Sequence, residues 1–90
     1  MTRLHVLVTG LVQGVGFRWY VREAARRLDL AGWVLNRSDG SVEVVAEGSD
    51  DAIAEFRATI EQGPRGARVD DVQSLPDVGD ELPKPFGVHR

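Results

Sequence analysis

The sequence contains no cysteine, and this absence removes several kinds of chemistry at once. Without cysteine there can be no disulfide scaffold, no thiolate zinc site and no cysteine nucleophile. Lysine is nearly absent as well, because ten of the eleven basic residues are arginine and Lys84 is the exception. The planar guanidinium of arginine suits phosphate and carboxylate groups, although a general compositional bias accounts for most of these ten.

Long apolar runs and an excess of positive charge are also missing. The apolar stretch at residues 4–8 is too short for a secretory signal, and nothing later approaches about 18 uninterrupted apolar residues. We therefore expect a cytoplasmic protein. The net charge of −3 argues against a general attraction to nucleic acid or to an anionic membrane, so any anion site must be local.

The length and composition are typical of one soluble globular domain. The chain has 90 residues, of which 42% are apolar and 28% are charged. We find no internal repeat, no low-complexity segment and no linker, so we expect a single domain over residues 1–90. The sequence does not fix the oligomeric state, and we expect a monomer.

In the first third of the chain, the spacing of apolar residues changes from a strand pattern to a helix pattern. Alternation over residues 4–9 predicts a buried strand that ends near Thr9, and residues 10–16 then form a glycine-rich loop. From Phe17 to Leu28 apolar side chains recur with helical spacing, which predicts a helix of about 12–14 residues.

The middle of the chain carries a hairpin signal and a helix start. An Asp-Gly pair at residues 39–40 lies between alternating segments at 33–36 and 41–47, which predicts two antiparallel strands. Ser49, followed by two aspartates, supplies an N-cap and negative charge for a second helix. Gly-Pro at residues 63–64 ends that helix.

The last third predicts two more strands. Residues 67–75 form one, and a bulge would explain why Val69 and Val72 do not alternate in it. Residues 86–89 form a short final strand. The order β-α-β-β-α-β with an extra strand predicts an α+β, ferredoxin-like fold, with both helices on one face of an antiparallel sheet. Three aromatic residues are expected in the core: Trp33, Phe56 and Phe86.

The segment at residues 10–18, Gly-Leu-Val-Gln-Gly-Val-Gly-Phe-Arg, is the most informative one because it joins a strand end to a helix start. Unpartnered N–H groups at a helix N-terminus can hold a phosphate, and Arg18 can add a bidentate contact. A glycine-rich loop between a strand and a helix is about as often a simple turn that needs a flexible backbone as it is a phosphate-binding site. Dinucleotide and P-loop motifs do not fit, since Trp19 replaces the third glycine and no Lys-Ser or Lys-Thr follows.

Two motifs together resemble a known family. GLVQGVGFR at residues 10–18 and GWVLNRSDGSVEVVAEG at 32–48 closely resemble the two signatures of acylphosphatases. The resemblance covers nearly the whole chain and departs from the family in the last strand, at Gly87 and His89. It implies hydrolysis of the carboxyl-phosphate anhydride of an acyl phosphate to a carboxylate and inorganic phosphate.

The resemblance also implies a role for individual residues. Arg18 would bind the phosphate and Asn36 would position the attacking water, so these two are the expected catalytic residues. The backbone amides of the loop would hold the phosphate oxygens. The expected phosphate-binding set is Gln13, Gly14, Val15, Gly16, Phe17 and Arg18. No metal ion, cofactor, nucleic acid or membrane is implied as a partner, only the small-molecule substrate and its phosphate product.

Such a site suffices chemically for an acyl phosphate. A carboxylate leaving group with a pKa of about 4 departs without a proton from the protein, so no general acid is needed. His5 and His89 lie outside both motifs and are interpreted as structural. Other hypotheses are a non-catalytic phosphate-binding module, a domain like that of carbamoyl-phosphate-handling maturation proteins, and an RNA-binding sheet. The pair Arg18 and Asn36 favours the enzyme.

Overall fold

Two helices and five strands make up the computed structural model, which describes residues 1–90. The element order confirms the α+β, ferredoxin-like prediction, with one short strand added at the end. In chain order the elements are β1 (Thr2–Leu11), α1 (Phe17–Arg27), β2 (Ala31–Asn36), β3 (Val42–Gly48), α2 (Asp50–Gln62), β4 (Arg68–Ser74) and β5 (Gly87–His89).

The strands form one sheet in the order β4-β1-β3-β2-β5. The pairs β1 with β3, β1 with β4 and β2 with β3 are antiparallel, as expected. The predicted antiparallel four-stranded sheet is therefore confirmed, and the extra strand β5, whose pairing was not predicted, pairs in parallel with β2. The connection at residues 75–86 carries the chain from β4 at one edge of the sheet to β5, beside β2, at the other edge.

Both helices pack on the same face of the sheet, as predicted. The inward residues of β1 are Leu4, Val6 and Val8, and each is buried. The helices and the remaining chain complete this core with Phe17, Val21, Ala24, Ala25, Ile53, Phe56, Ile60 and Phe86. Burial of each large apolar side chain stabilises the fold by about 1.5–3 kcal/mol, so this layer holds both helices in place.

Trp33 does not belong to this core, and the prediction that it does is wrong. Its neighbour Val34 is buried beneath the helices, and successive strand residues point to opposite faces, so Trp33 lies on the other face of the sheet. There its ring stacks on His89 of β5, with the ring centroids 5.5 Å apart and the planes 11° apart. The predictions for Phe56 and Phe86 are confirmed, since both are fully buried.

The first part of the connection between β4 and β5, residues 76–80, is held against the sheet face that points away from the helices. Nη1 of Arg3 donates to the Asp80 carbonyl at 2.6 Å. His5 lies between two partners, with Nδ1 2.5 Å from the Pro76 carbonyl and Nε2 2.6 Å from the Glu43 carboxylate. Both ring nitrogens are therefore used in holding the connection and the sheet together.

A bulge interrupts the pairing of β4 with β1, as the irregular spacing of its valines suggested. Thr9 pairs with Asp71 and the next residue of β1 pairs with Val69, which leaves Asp70 unpaired. Because of this extra residue, Val69 and Val72 lie on the same face of the sheet, although three positions separate them. Both pack against the core.

Strand β1 extends beyond Thr9, where we predicted its end, and stops at Leu11. Gly10 and Leu11 still pair with β4, so they belong to the sheet and not to the loop. Gly10 has φ of 129°, and a Cβ there would lie 2.1 Å from the Arg68 carbonyl oxygen, so only glycine fits. The glycine-rich loop is correspondingly shorter than predicted.

One of the two helices, α1, is shorter than predicted. Helix α1 has 11 residues and ends at Arg27, because the chain turns at Asp29, whose φ is 58°. Helix α2 begins after Ser49 and ends before Gly63, as predicted. Neither helix has both the length and the apolar character needed to cross a membrane.

Candidate active site

A short loop at residues 12–16 links β1 to α1, and buried side chains fix it at both ends. Val12 and Phe17 are each only 1% exposed, so the loop is anchored where it leaves the strand and where it enters the helix. Gly14 and Gly16 have φ of 75° and 76°, in the left-handed region that glycine adopts readily. A Cβ on either would meet no protein atom within 4 Å, so backbone conformation and not crowding within the protein requires glycine there.

The loop leaves a row of backbone donors without partners. Gly16 is the N-cap of α1 and offers no side-chain acceptor, and the first turn contains no acidic residue. No N–H group of residues 13–19 donates to a backbone acceptor, and the first that does belongs to Tyr20, 3.0 Å from the Gly16 carbonyl. Because these donors lie at the positive end of the helix dipole, they form a favourable place for an anion.

Arg18 adds a positive charge that the protein does not neutralise. It is half-buried in the first turn of α1, and it takes part in none of the ion pairs of the structure. Its neighbour Arg22 behaves differently, since it lies 3.9 Å from a Glu23 carboxylate oxygen and 4.8 Å above the ring of Trp19. The guanidinium of Arg18 is therefore available for a ligand.

Asn36, the last residue of β2, presents an unusual acceptor. Its Oδ1 is buried and receives no hydrogen bond from the protein, the one such side-chain atom in the structure. Leaving a buried acceptor unpaired costs about 1–3 kcal/mol. Buried polar atoms are otherwise nearly always paired, so the unpaired Oδ1 distinguishes Asn36 from the other polar residues of the structure.

One cavity of about 210 Å³ brings the two sequence motifs together. It is lined by Val12, Gln13, Gly14, Gly16, Phe17, Arg18, Trp19 and Asn36. Six of the seven residues expected at the site are among them, and Val15 is the exception. Val15 lines a neighbouring groove instead. The expected set omitted Val12, which lies inside the first motif, and Trp19, which directly follows it.

The side chain of Gln13 has a structural role that the sequence did not suggest. Its Nε2 donates to the carbonyls of Arg37, at 2.7 Å, and Ser41, at 2.9 Å. These bonds tie the loop to the hairpin that follows Asn36. In that hairpin the Asp39 carboxylate accepts hydrogen bonds from the Ser41 hydroxyl at 2.5 Å and N–H at 3.0 Å, which lower the pKa of Asp39. The two halves of the site are thus held in a fixed relation.

The electrostatics of the cavity suit a small anion. Backbone donors and one guanidinium line it, and none of its lining residues is an aspartate, glutamate or histidine. Nowhere in the structure do three or more histidine, aspartate or glutamate side chains form a group that could hold a metal ion. The arrangement can therefore bind a phosphoryl group and place a hydrogen-bond acceptor beside it.

Comparison with known proteins agrees with this site. A family model described as acylphosphatase matches residues 4–83. The chain is 46% identical over 92 residues to an acylphosphatase from Bifidobacterium longum, covering 100% of this chain and 94% of that protein. It is 55% identical over 67 residues to an acylphosphatase from Koribacter versatilis, covering 74% of this chain and 61% of that protein.

A solved structure supports the same assignment. The crystal structure of acylphosphatase from Bacillus subtilis superposes with a TM-score of 0.88 at 35% identity, and the match covers 100% of both chains. The chain belongs to the acylphosphatase family, which confirms the resemblance of its two motifs.

Proposed function

We propose that the protein hydrolyses acyl phosphates to a carboxylate and inorganic phosphate, using Arg18, Asn36 and the amides of the loop from Gln13 to Phe17. The observation that carries the proposal is that one cavity is lined by the loop, by the unpaired Arg18 and by Asn36, whose Oδ1 has no hydrogen-bond partner in the protein. The cavity thus holds donors for a phosphoryl group and an acceptor for a water.

The loop amides and Arg18 hold the phosphoryl group in this mechanism. In phosphoryl transfer the protein mainly stabilises charge on the phosphoryl oxygens and aligns the attacking and leaving oxygens. The N–H groups are fixed by the buried anchors Val12 and Phe17, so they need little reorganisation when charge develops. A fixed donor of this kind contributes about 100-fold to 1,000-fold in rate.

Asn36 orients the water. A water beside Oδ1 donates one hydrogen to it, which directs a lone pair of the water oxygen toward phosphorus. A bond forms between this oxygen and phosphorus while the bond from phosphorus to the acyl oxygen breaks, and its electron pair leaves with the carboxylate. The proton that the water loses passes to a phosphate oxygen or to solvent.

The absence of an acid or a base from the lining of the cavity fits an activated substrate. A carboxylate with a pKa of about 4 leaves as an anion without protonation, whereas an alcohol leaving group needs a proton. We therefore propose that catalysis needs no metal ion and no cofactor, and that ordinary phosphate monoesters are poor substrates.

Phosphate release from benzoyl phosphate in the presence of a chelator tests the proposal. We expect full activity with the chelator and no measurable release from phenyl phosphate at the same concentration. Activity that disappears with the chelator would mean that a metal ion is required. Binding of inorganic phosphate without any hydrolysis of benzoyl phosphate would mean that the protein is a binding module and not a hydrolase.

A further inference from the structure

A second and larger concavity lies next to the phosphate cavity. It is a groove of about 550 Å³ between α1 and the last part of α2, and Thr59 and Pro64 line it on the α2 side. Gly16 and Trp19 line both concavities, so the groove begins where the cavity wall ends. The two spaces are therefore neighbours with a shared border.

The groove follows one side of α1. Its lining residues on the helix recur at intervals of three and four, from Gly16 through Trp19 and Glu23 to Arg27, which is one stripe of a helix surface. At 1.5 Å per residue this stripe is about 16 Å long. Its beginning is apolar, with Val15 and Trp19, and its far end carries two exposed charged residues.

The position of Asn36 decides which part of a substrate the groove can take. Asn36 lines the cavity but not the groove, and Val15 lines the groove but not the cavity. In-line displacement requires the leaving group to depart on the side opposite the attacking water. With the water at Asn36, the acyl group leaves on the side away from Asn36, and the groove is the neighbouring space that Asn36 does not line.

We infer that the groove holds the acyl group and that the preferred substrates carry a long, largely apolar acyl chain. This inference rests on the proposed function. Trp19 supports it because it is 59% exposed, which leaves a large apolar ring at the mouth of the phosphate cavity. The Tyr20 hydroxyl donates to the Thr59 carbonyl at 2.9 Å, so the two helices that form the groove are already tied together.

The test compares octanoyl phosphate with acetyl phosphate, whose acyl group is too short to follow the groove. Each fully buried methylene contributes about a fourfold gain, so even partial burial predicts a preference in kcat/KM of at least about tenfold for octanoyl phosphate. Thr59→Phe places a large ring in the groove and should remove this preference. Ala58→Phe adds the same ring at an exposed position of the same helix outside the groove, and should keep it.

The outcomes separate this inference from the proposed function. If the wild-type protein hydrolyses neither substrate, the proposed function fails. If it hydrolyses acetyl phosphate without preferring octanoyl phosphate, or if Thr59→Phe keeps the preference, only the groove assignment is overturned. Circular dichroism checks that Thr59→Phe is folded, and Glu23→Trp, at an exposed groove position on α1, replaces it if it is not.

Discussion

The two helices of this protein begin in opposite ways. Helix α2 is capped by its own chain, because the Ser49 side chain accepts a hydrogen bond from the Ala52 N–H at 3.2 Å and two aspartates follow in the first turn. Helix α1 begins at Gly16, with no side-chain cap, no acidic residue and Arg18 in its first turn. One helix start supplies its own negative charge, and the other leaves the same positive dipole end for a ligand.

Backbone conformation explains the difference. Ser49 has φ of −64° and ψ of 156°, the extended geometry from which a side chain can cap a helix. Gly16 has φ of 76° and ψ of 19°, so the chain enters α1 from a left-handed residue. A cap contributes about 0.5–2 kcal/mol, and α1 does without it. Burial of Phe17 and Val21 holds α1 in place instead.

Arg18→Lys should have the largest effect on the start of α1. Lysine keeps the charge but loses the bidentate fork, so we expect kcat/KM for benzoyl phosphate to fall about 100-fold to 1,000-fold. Isothermal titration should show weaker binding of inorganic phosphate as well. Arg65→Lys, at an exposed position outside the cavity, is the control and should change neither value. Unchanged phosphate binding by Arg18→Lys would remove Arg18 from the site.

Asn36→Ala should separate binding from turnover. Loss of the group that aligns the water should lower kcat about 100-fold and leave the phosphate affinity nearly unchanged. Because Oδ1 has no partner in the protein, its removal should not lower the free energy of unfolding, and can raise it by about 1 kcal/mol. Ser38→Ala in the following turn is the control for turnover and stability. Wild-type turnover in Asn36→Ala would contradict the assigned role.

Trp19→Glu makes α1 resemble α2 by placing a carboxylate in its first turn. The new charge favours the helix dipole by about 0.3–1 kcal/mol but repels an anion in the cavity. We expect phosphate binding to weaken about tenfold while the midpoint of urea denaturation stays equal or rises. Trp19→Gln has the same size without the charge and serves as the matched control. Equal phosphate affinity in the two variants would mean that the charge at this helix start is unimportant.

Ser49→Ala removes the cap from α2 and should have the smallest effect on function. Loss of the bond to Ala52 should lower the free energy of unfolding by about 1 kcal/mol, measured by urea denaturation. The kcat/KM for benzoyl phosphate should stay at the wild-type value, because this helix start has no part in the site. A loss of activity without a loss of stability would contradict the contrast between the two helix starts.

Local features of the fold and its general topology were predictable from the sequence, whereas the exact extent and pairing of individual strands were not. The cap at Ser49 and the turn at Asp39 and Gly40 depend on neighbouring residues, so their residue types reveal them. The continuation of β1 to Leu11 depends on pairing with β4, far along the chain. The parallel pairing of β5 depends likewise on where the connection at residues 75–86 crosses the sheet.

In the candidate site, too, some features were predictable from the sequence and others were not. The resemblance to a family predicted that Arg18 and Asn36 are catalytic residues, and in the structure both line one cavity. The tether from Gln13 reaches carbonyls 24 and 28 residues away, and no local pattern reveals such a contact. Val15 lines the groove and not the cavity, and this placement depends on the folded loop, which residue types alone do not specify.

We expect phosphate to bind at the start of α1 and not at the start of α2. An NMR titration of the ¹⁵N-labelled protein with inorganic phosphate measures this directly, since each backbone amide reports separately. Saturable shifts should be concentrated in the amides of residues 13–18, with little change at residues 50–53. Equal shifts at both helix starts, or saturable shifts confined to another surface, would contradict the account.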